Sequence, residues 1–182
     1  MAEVLAFIIE RVSTPLGEAV LVSDPEGALR LLYWEDPTHR WEAALKQRYG
    51  EVTLTEKKNA FGHAKVLKAY FDGDIAAVDA LEVAFAGTPF QLQVWNALRR
   101  IAGGTTTSYG ALAKKIGKPD AVRAVGLANG QNPISLIVPC HRVVGSNGSL
   151  TGYGGGLERK RWLLDHEARY AGAGQFQLER TG

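Results

Sequence analysis

The chain has 182 residues and a net charge of +2, long enough for one domain or two small ones around a real core. With 46% hydrophobic and 22% charged residues it has an ordinary globular composition. Its one cysteine, Cys140, excludes an intrachain disulfide framework and a Cys-rich zinc site. A free thiol fits a reducing compartment, so the expected location is cytoplasmic. The apolar run 4–9 sits between Glu3 and Glu10 and lacks the basic start and longer core of a signal peptide. No stretch approaches the ~18 apolar residues of a membrane span.

The small net charge hides a split. Residues 1–87 carry 9 Lys/Arg against 14 Asp/Glu, a net of −5; residues 88–182 carry 12 against 5, a net of +7. A basic second half fits a polyanionic partner, and it equally fits a solvated basic face.

In chain order, residues 5–12, 18–23 and 28–34 are β-rich segments, separated by the turn signals Thr14-Pro15-Leu16-Gly17 and Asp24-Pro25-Glu26-Gly27. They predict a small antiparallel sheet. Helical patterns follow over 37–49 and 59–71, then a connection over 74–87. Thr88-Pro89 opens a helix whose stripe is Phe90, Val94, Trp95, Leu98 and Ile101. Ser108 can cap a second helix that Gly117 stops, and Lys118-Pro119 starts a third through about Asn129. Two short helices so closely joined resemble a helix-turn-helix, although helical hairpins also occur in proteins that never touch DNA. An apolar run, 134–138, ends at Pro139-Cys140, a loop with six glycines covers 145–156, and a last amphipathic helix covers 157–166. The predicted class is α+β. An N-terminal domain (1–87) holds the sheet and helices, a mostly helical domain (88–170) holds the helix-turn-helix, and 171–182 is a loosely held tail.

The third of these helices, 119–130, is built from Ala121, Ala124, Gly126, Ala128 and Gly130. Base-reading helices present Arg, Asn or Gln to base edges. Small side chains instead let a backbone approach a groove, which predicts binding with little sequence preference through phosphate contacts; close helix packing is the alternative. Lys114, Lys115 and Lys118 are placed for phosphates. Arg123 is the one long cation near the helix middle and could fill the gap left by an extruded base, or make a surface ion pair.

Cys140 stands beside His141 in Val138-Pro139-Cys140-His141-Arg142-Val143. A free thiol is only a few per cent thiolate at neutral pH, so a base or an electropositive site must activate it; an inert buried thiol is the alternative. Sequence neighbours on a strand point to opposite faces, so thiol and imidazole need a turn or a bridging water. Glu167 or His166 could fix the imidazole tautomer, and Glu167 could equally be an exposed helix-end carboxylate.

The motif around Cys140 resembles the active-site motif of the O6-alkylguanine-DNA alkyltransferases, and the chain resembles their stand-alone bacterial Ogt type. The resemblance spans 88–168. It includes Thr88-Pro89-Phe90, Val94-Trp95, Ser108-Tyr109-Gly110, Arg123-Ala124-Val125-Gly126, Asn132-Pro133, Gly152-Tyr153 and Trp162-Leu163-Leu164-Asp165-His166-Glu167. It implies that residues 1–87 are ribonuclease-H-like. It makes Cys140 the alkyl acceptor, His141 its base through water, Glu167 the orienting carboxylate, and Asn132 the residue holding the helix-turn-helix to the active-site turn. Tyr109 would rotate the nucleotide outward and contact the base, and Arg123 would intercalate from a helix in the minor groove. Backbone carbonyls of Val143 and Cys140 would take the guanine amine, and Tyr153 would line the pocket. Some relatives carry Ser where this chain has Gly154, so only a backbone N–H could serve O6 there. Some have Pro at Ser135. The implied activity is single-turnover repair of O6-alkylguanine, and of O4-alkylthymine as a further candidate, in double-stranded DNA. The implied protein is a monomer with no cofactor and no metal. A cysteine hydrolase and a lesion binder without chemistry are the competing classes; the retained cysteine and basic half speak against them.

Overall fold

Ala19, Val20, Leu21 and Val22 are all buried, so β2 (Gly17–Ser23) has no solvent face and must be a central strand. The computed structural model describes residues 3–171; the expected tail from 172 onward lies outside them. β1 (Leu5–Thr14) pairs antiparallel with β2 through a tight turn that closes at Thr14 and Gly17, and β3 (Leu29–Trp34) pairs antiparallel on the other side. A fourth strand, β4 (Val52–Glu56), lies parallel to β1 and gives the order β3-β2-β1-β4. The sequence reading missed it, and the sheet is therefore mixed rather than wholly antiparallel. β4 is short, sits at an edge and is exposed or half-buried throughout, so it carries little hydrophobic signal.

The helices of this half start later than their patterns suggest. α1 spans Trp41–Tyr49, not 37–49, because Asp36 Oδ1 accepts from both the backbone N–H and the hydroxyl of Thr38 and holds a turn there. α2 spans His63–Phe71, not 59–71, because Asn59 (φ 56°) and Gly62 (φ 77°) are left-handed. The connection 74–87 contains a 3-10 turn, Ile75–Ala80, and then runs along β3. There Leu29 N–H donates to Glu82 O and Ala84 N–H to Leu29 O. Further along the same strand, Leu32 N–H donates to Pro133 O and Ser135 N–H to Leu32 O. The free edge of β3 is thus covered, and the apolar run leading to Cys140 is docked on the sheet.

In the second half, α3 (Pro89–Leu98) begins with a capping box between Thr88 and Gln91 and with Pro at its first turn, as expected. Ser108 caps α4 (Tyr109–Lys115) by accepting from Ala111 N–H. The strands β5 (Thr107–Ser108) and β6 (Val143–Val144) pair parallel just before it. α5 spans Val122–Gly130, three residues shorter at its start than expected, and Ala121 is its N-cap rather than part of its body. The turn between α4 and α5 absorbs those residues: Gly117 is left-handed (φ 76°), Lys118 N–H bonds Ala113 O, and Ala121 N–H bonds Lys118 O. α6 runs Leu157–Tyr170, one turn past the expected end.

One face of the sheet, with Phe7, Ile9, Val20, Val22 and Leu31, packs on Trp41 and Leu45 of α1. The other face contributes Ala19, Leu21, Leu32 and Trp34 to a larger cluster with Trp95, Leu98, Leu112, Val125, Val138 and Leu163. That cluster includes Cys140 and draws on residues from both sides of Gly87. Trp95 is its pin: fully buried, it donates from Nε1 to Ala128 O at 2.8 Å and ties α3 to α5. Among the described residues no helix is long and apolar enough to cross a membrane. Trp95→Ala is expected to cost about 3–5 kcal/mol of unfolding free energy, read from the urea midpoint at unchanged slope; a loss below about 1 kcal/mol would contradict this packing role.

Candidate active site and nucleic-acid interface

Asn132 builds the turn that presents Cys140. Its Oδ1 accepts from Ile134 N–H at 2.9 Å and its Nδ2 donates to Val138 O at 2.8 Å. Both bonds are buried, and they close a segment in which buried Leu136 is held at φ 72°. A 3-10 turn, Cys140–Arg142, follows at once, so Cys140 and His141 are not neighbours on a flat strand. Cys140 is 4% exposed and His141 fully buried.

Glu167, on α6, is the hub of the site and is itself buried. Its Oε1 accepts from His141 Nε2 at 2.9 Å and from Arg142 Nε at 2.8 Å. Its Oε2 accepts from Arg142 Nη2 at 2.6 Å and from the Tyr70 hydroxyl at 2.8 Å. Burial opposes the carboxylate charge, but His141 and Arg142 outweigh it and hold the carboxyl well below the usual range. Because Glu167 is an anion, the shared proton sits on His141 Nε2, which leaves Nδ1 as the basic lone pair; Nδ1 is buried and makes no hydrogen bond among the described residues. Burial lowers the His141 pKa against the pull of Glu167, so the imidazole is neutral at rest. Burial also raises the Cys140 thiol, against the Asn132 side chain and the charge of Lys160. Thiol and base are therefore both neutral at rest rather than a preformed ion pair.

His166, the other candidate to orient His141, faces away: its Nε2 donates to Tyr70 O at 2.8 Å and its ring stacks on Trp162. Four polar contributors were not anticipated. Arg142 stood inside the Cys140 motif, and its place next to His141 was the only signal the sequence offered. Tyr70 reaches Glu167 across the core from α2, with no local signal. Lys160, fully buried on α6, donates from Nζ to Val143 O and Thr151 O at 2.7 Å each. Asn129 donates to Cys140 O at 3.4 Å. Of the two carbonyls assigned to a guanine amine, Val143 O is thus engaged by Lys160, while Cys140 O already accepts from both Asn129 Nδ2 and the Val143 N–H.

A cavity of about 350 Å³ is lined by Tyr109, Gly126, Gly130, Gly152 and Tyr153 among others; Cys140 and His141 are not part of its lining. Tyr109 stands at the start of α4 and donates to Thr151 O at 3.1 Å. Gly126 faces its ring, where an added Cβ would come to 3.8 Å from Tyr109 Cδ1, an ordinary contact. Tyr153 OH accepts from Trp34 Nε1 at 3.4 Å, and Gly154 follows it against His39. Arg123 and Ala124 lie on the exposed side of α5, while Gly126 and Ala121 are half-buried. Lys114, Lys115 and Lys118 are exposed on and just after α4. The expected DNA-facing residues thus lie on α4, α5 and the turn between them.

The electrostatics fix a pH response. His39, His63 and His141 all have lowered pKa values caused first by burial. Below about pH 6.5 the unfolded chain takes up these protons and the folded chain does not, so stability falls as pH drops. Glu167 acts in the same sense: its contribution is present above the unfolded value near ~4.3 and is lost as pH falls through its depressed folded value. The urea midpoint is expected to be lower at pH 5 than at pH 7.5; a flat profile would contradict the buried neutral histidines. Glu167→Gln strands the Arg142 charge and is expected to cost about 3–5 kcal/mol at pH 7.5.

Comparison with known proteins gives concordant results. Residues 89–169 match the family described as "6-O-methylguanine DNA methyltransferase, DNA binding domain". The methylated-DNA–protein-cysteine methyltransferase of Salmonella typhimurium is 48% identical over 168 residues, 90% of this chain and 96% of that protein. Its counterpart in Mycolicibacterium paratuberculosis is 53% identical over 155 residues, 84% and 93% of the two chains. Among solved structures, the Mycobacterium tuberculosis O6-methylguanine methyltransferase superposes with a TM-score of 0.76 at 41% identity, covering 92% of this chain and 96% of that one. The same organism's OGT in complex with DNA gives 0.75 at 41% identity, covering 91% and 96%. At such identity over nearly the full length of both partners, this chain belongs to the methylated-DNA–protein-cysteine methyltransferase family.

Proposed function

We propose that this protein repairs O6-alkylguanine in DNA by moving the alkyl group onto Cys140 in one irreversible turnover. The observation that carries the reading is the placement of the chain's single thiol. It is buried in the same short turn as His141, whose ring is held by Glu167, and a separate cavity lined by Tyr109, Gly126 and Tyr153 opens between α4–α5 and the loop around Tyr153. A duplex base cannot reach a buried thiol while stacked, so the nucleotide must be rotated out, at a cost of a few kcal/mol. Arg123 on the exposed side of α5 is suited to fill the vacated space, and Tyr109 to crowd the target phosphate. The Ala and Gly residues of α5 favour close approach in the minor groove with little sequence preference, Lys114, Lys115 and Lys118 supply phosphate contacts, and the protein acts as a monomer.

The chemistry follows from two neutral groups. As the Cys140 sulfur attacks the alkyl carbon in line, its proton passes through a bridging water to His141 Nδ1. The new bond is S–C and the broken bond is C–O6. The bonding pair returns to guanine O6, where a donor such as the Tyr109 hydroxyl disperses the charge. The imidazolium that forms is stabilised by Glu167 at 2.9 Å. The product is a thioether, which neutral water does not hydrolyse, so the protein stays alkylated. O4-alkylthymine presents the same alkyl–oxygen bond and is a second candidate substrate.

Intact mass after incubation with duplex O6-methylguanine DNA is expected to show one methylene equivalent per chain, mapped to Cys140. Repeated turnover, or no adduct, would overturn the reading. Cys140→Ala should abolish the adduct and keep DNA binding, which separates alkyl transfer from lesion binding. Arg123→Ala should slow transfer from duplex DNA by about tenfold or more while leaving reaction with free O6-benzylguanine near the wild-type rate.

A further inference from the structure

The loop after Tyr153 is seated on side chains from the first forty residues. Trp34 donates from Nε1 to Tyr153 OH at 3.4 Å, and its ring lies under Gly155 so closely that a Cβ there would meet Trp34 Cδ1 at 2.5 Å. Arg159 lies over the Trp34 ring and donates from Nη1 to Gly155 O and to Asp36 Oδ2, each at 2.9 Å. His39 completes the seat. Its ring stacks on Tyr33 at 3.8 Å between centroids, and its Nδ1 accepts from Trp34 N–H at 3.0 Å. Burial lowers its pKa to about 4, so the ring is neutral and its proton sits on Nε2. A Cβ built on Gly154 would come to 3.3 Å from that Nε2. The imidazole of His39 therefore borders the place a Cβ at 154 would take, closely enough that it would have to give by a few tenths of an ångström.

We infer that His39 is a positioning residue for alkyl transfer: it packs tightly against the Cβ side of Gly154 and, with Trp34 and Arg159, fixes the backbone of the loop that walls the base pocket. The inference rests on the proposed alkyl transfer. Among the described residues no hydrogen bond joins His39 to Cys140, His141 or Glu167, so its effect passes through the loop. Misplacing that loop by a fraction of an ångström leaves DNA binding on α4 and α5 intact and slows the chemical step.

The test is a double-mutant cycle on His39→Ala and Gly154→Ala, with adduct formation on O6-methylguanine DNA read by mass. Each single variant is expected to slow transfer at saturating DNA by about tenfold or more, with the DNA dissociation constant within about twofold of wild type. The double variant is expected to recover most of the loss, because the added methyl enters the space His39 vacates. Hydrogen exchange of the 151–156 amides should quicken in His39→Ala and return toward wild type in the double variant, a readout independent of any transfer. Wild-type transfer and exchange in His39→Ala, or strictly additive losses in the double variant, would overturn the inference. If His39→Ala melts below the assay temperature, Gly154→Ala carries the test: slow transfer at an unchanged melting point supports it, and wild-type transfer overturns it. Absence of an adduct on the wild-type protein would instead count against alkyl transfer itself, and the exchange readout would still decide the seat.

Discussion

The rest of the structure hangs on one buried carboxylate. Glu167 accepts four hydrogen bonds, two at each oxygen, from His141, Arg142 and Tyr70. A carboxylate taken out of water is costly unless charge and lone pairs are both answered, and here Arg142 answers the charge while the other donors complete the shell. The consequence is geometric. α6 carries the acceptor, the Cys140–Arg142 turn carries two donors, and α2 carries the third. None of the three can move without breaking a bond that has no solvent to replace it.

The same hub sets the electrostatics of the thiol. Arg142 shares Glu167 with His141, so the imidazole does not receive the whole of the carboxylate's attraction and burial keeps it neutral. A thiol raised by burial beside a neutral imidazole is protected from adventitious oxidation and alkylation, since the thiolate is the reactive form. Reactivity is then conferred when the substrate carbon is in line and the proton has somewhere to go. Under the proposed function, in which the only cysteine is spent in one event, a quiet resting state has an evident use.

The parts of this arrangement legible in the sequence were local ones. Thr88-Pro89, Ser108 and Gly117 marked helix ends by their own backbone chemistry, and the structure uses each of them so. The small residues of the third helix stood out in composition, and Arg123 stands on its exposed side. What stayed hidden was long-range. β4 offered two apolar residues on an edge and no pattern, and Asn59 and Gly62 turned a helical period into a left-handed turn. Tyr70, Trp34 and His39 reach the site from the first half across the core, and no spacing along the chain encodes such contacts. Glu167 could be paired with His141 from sequence, but its engagement by Arg142, which keeps His141 neutral, depended on burial that only the folded chain displays.

The claim underlying both stability and chemistry is the tautomer of His141. Nitrogen NMR of the protein labelled at histidine reads it directly. At pH 7 the His141 ring is expected to be neutral, protonated at Nε2 and bare at Nδ1, and to stay so as the pH falls below that of a free imidazole. An imidazolium at neutral pH, or a proton resident on Nδ1, would contradict the role assigned to Glu167.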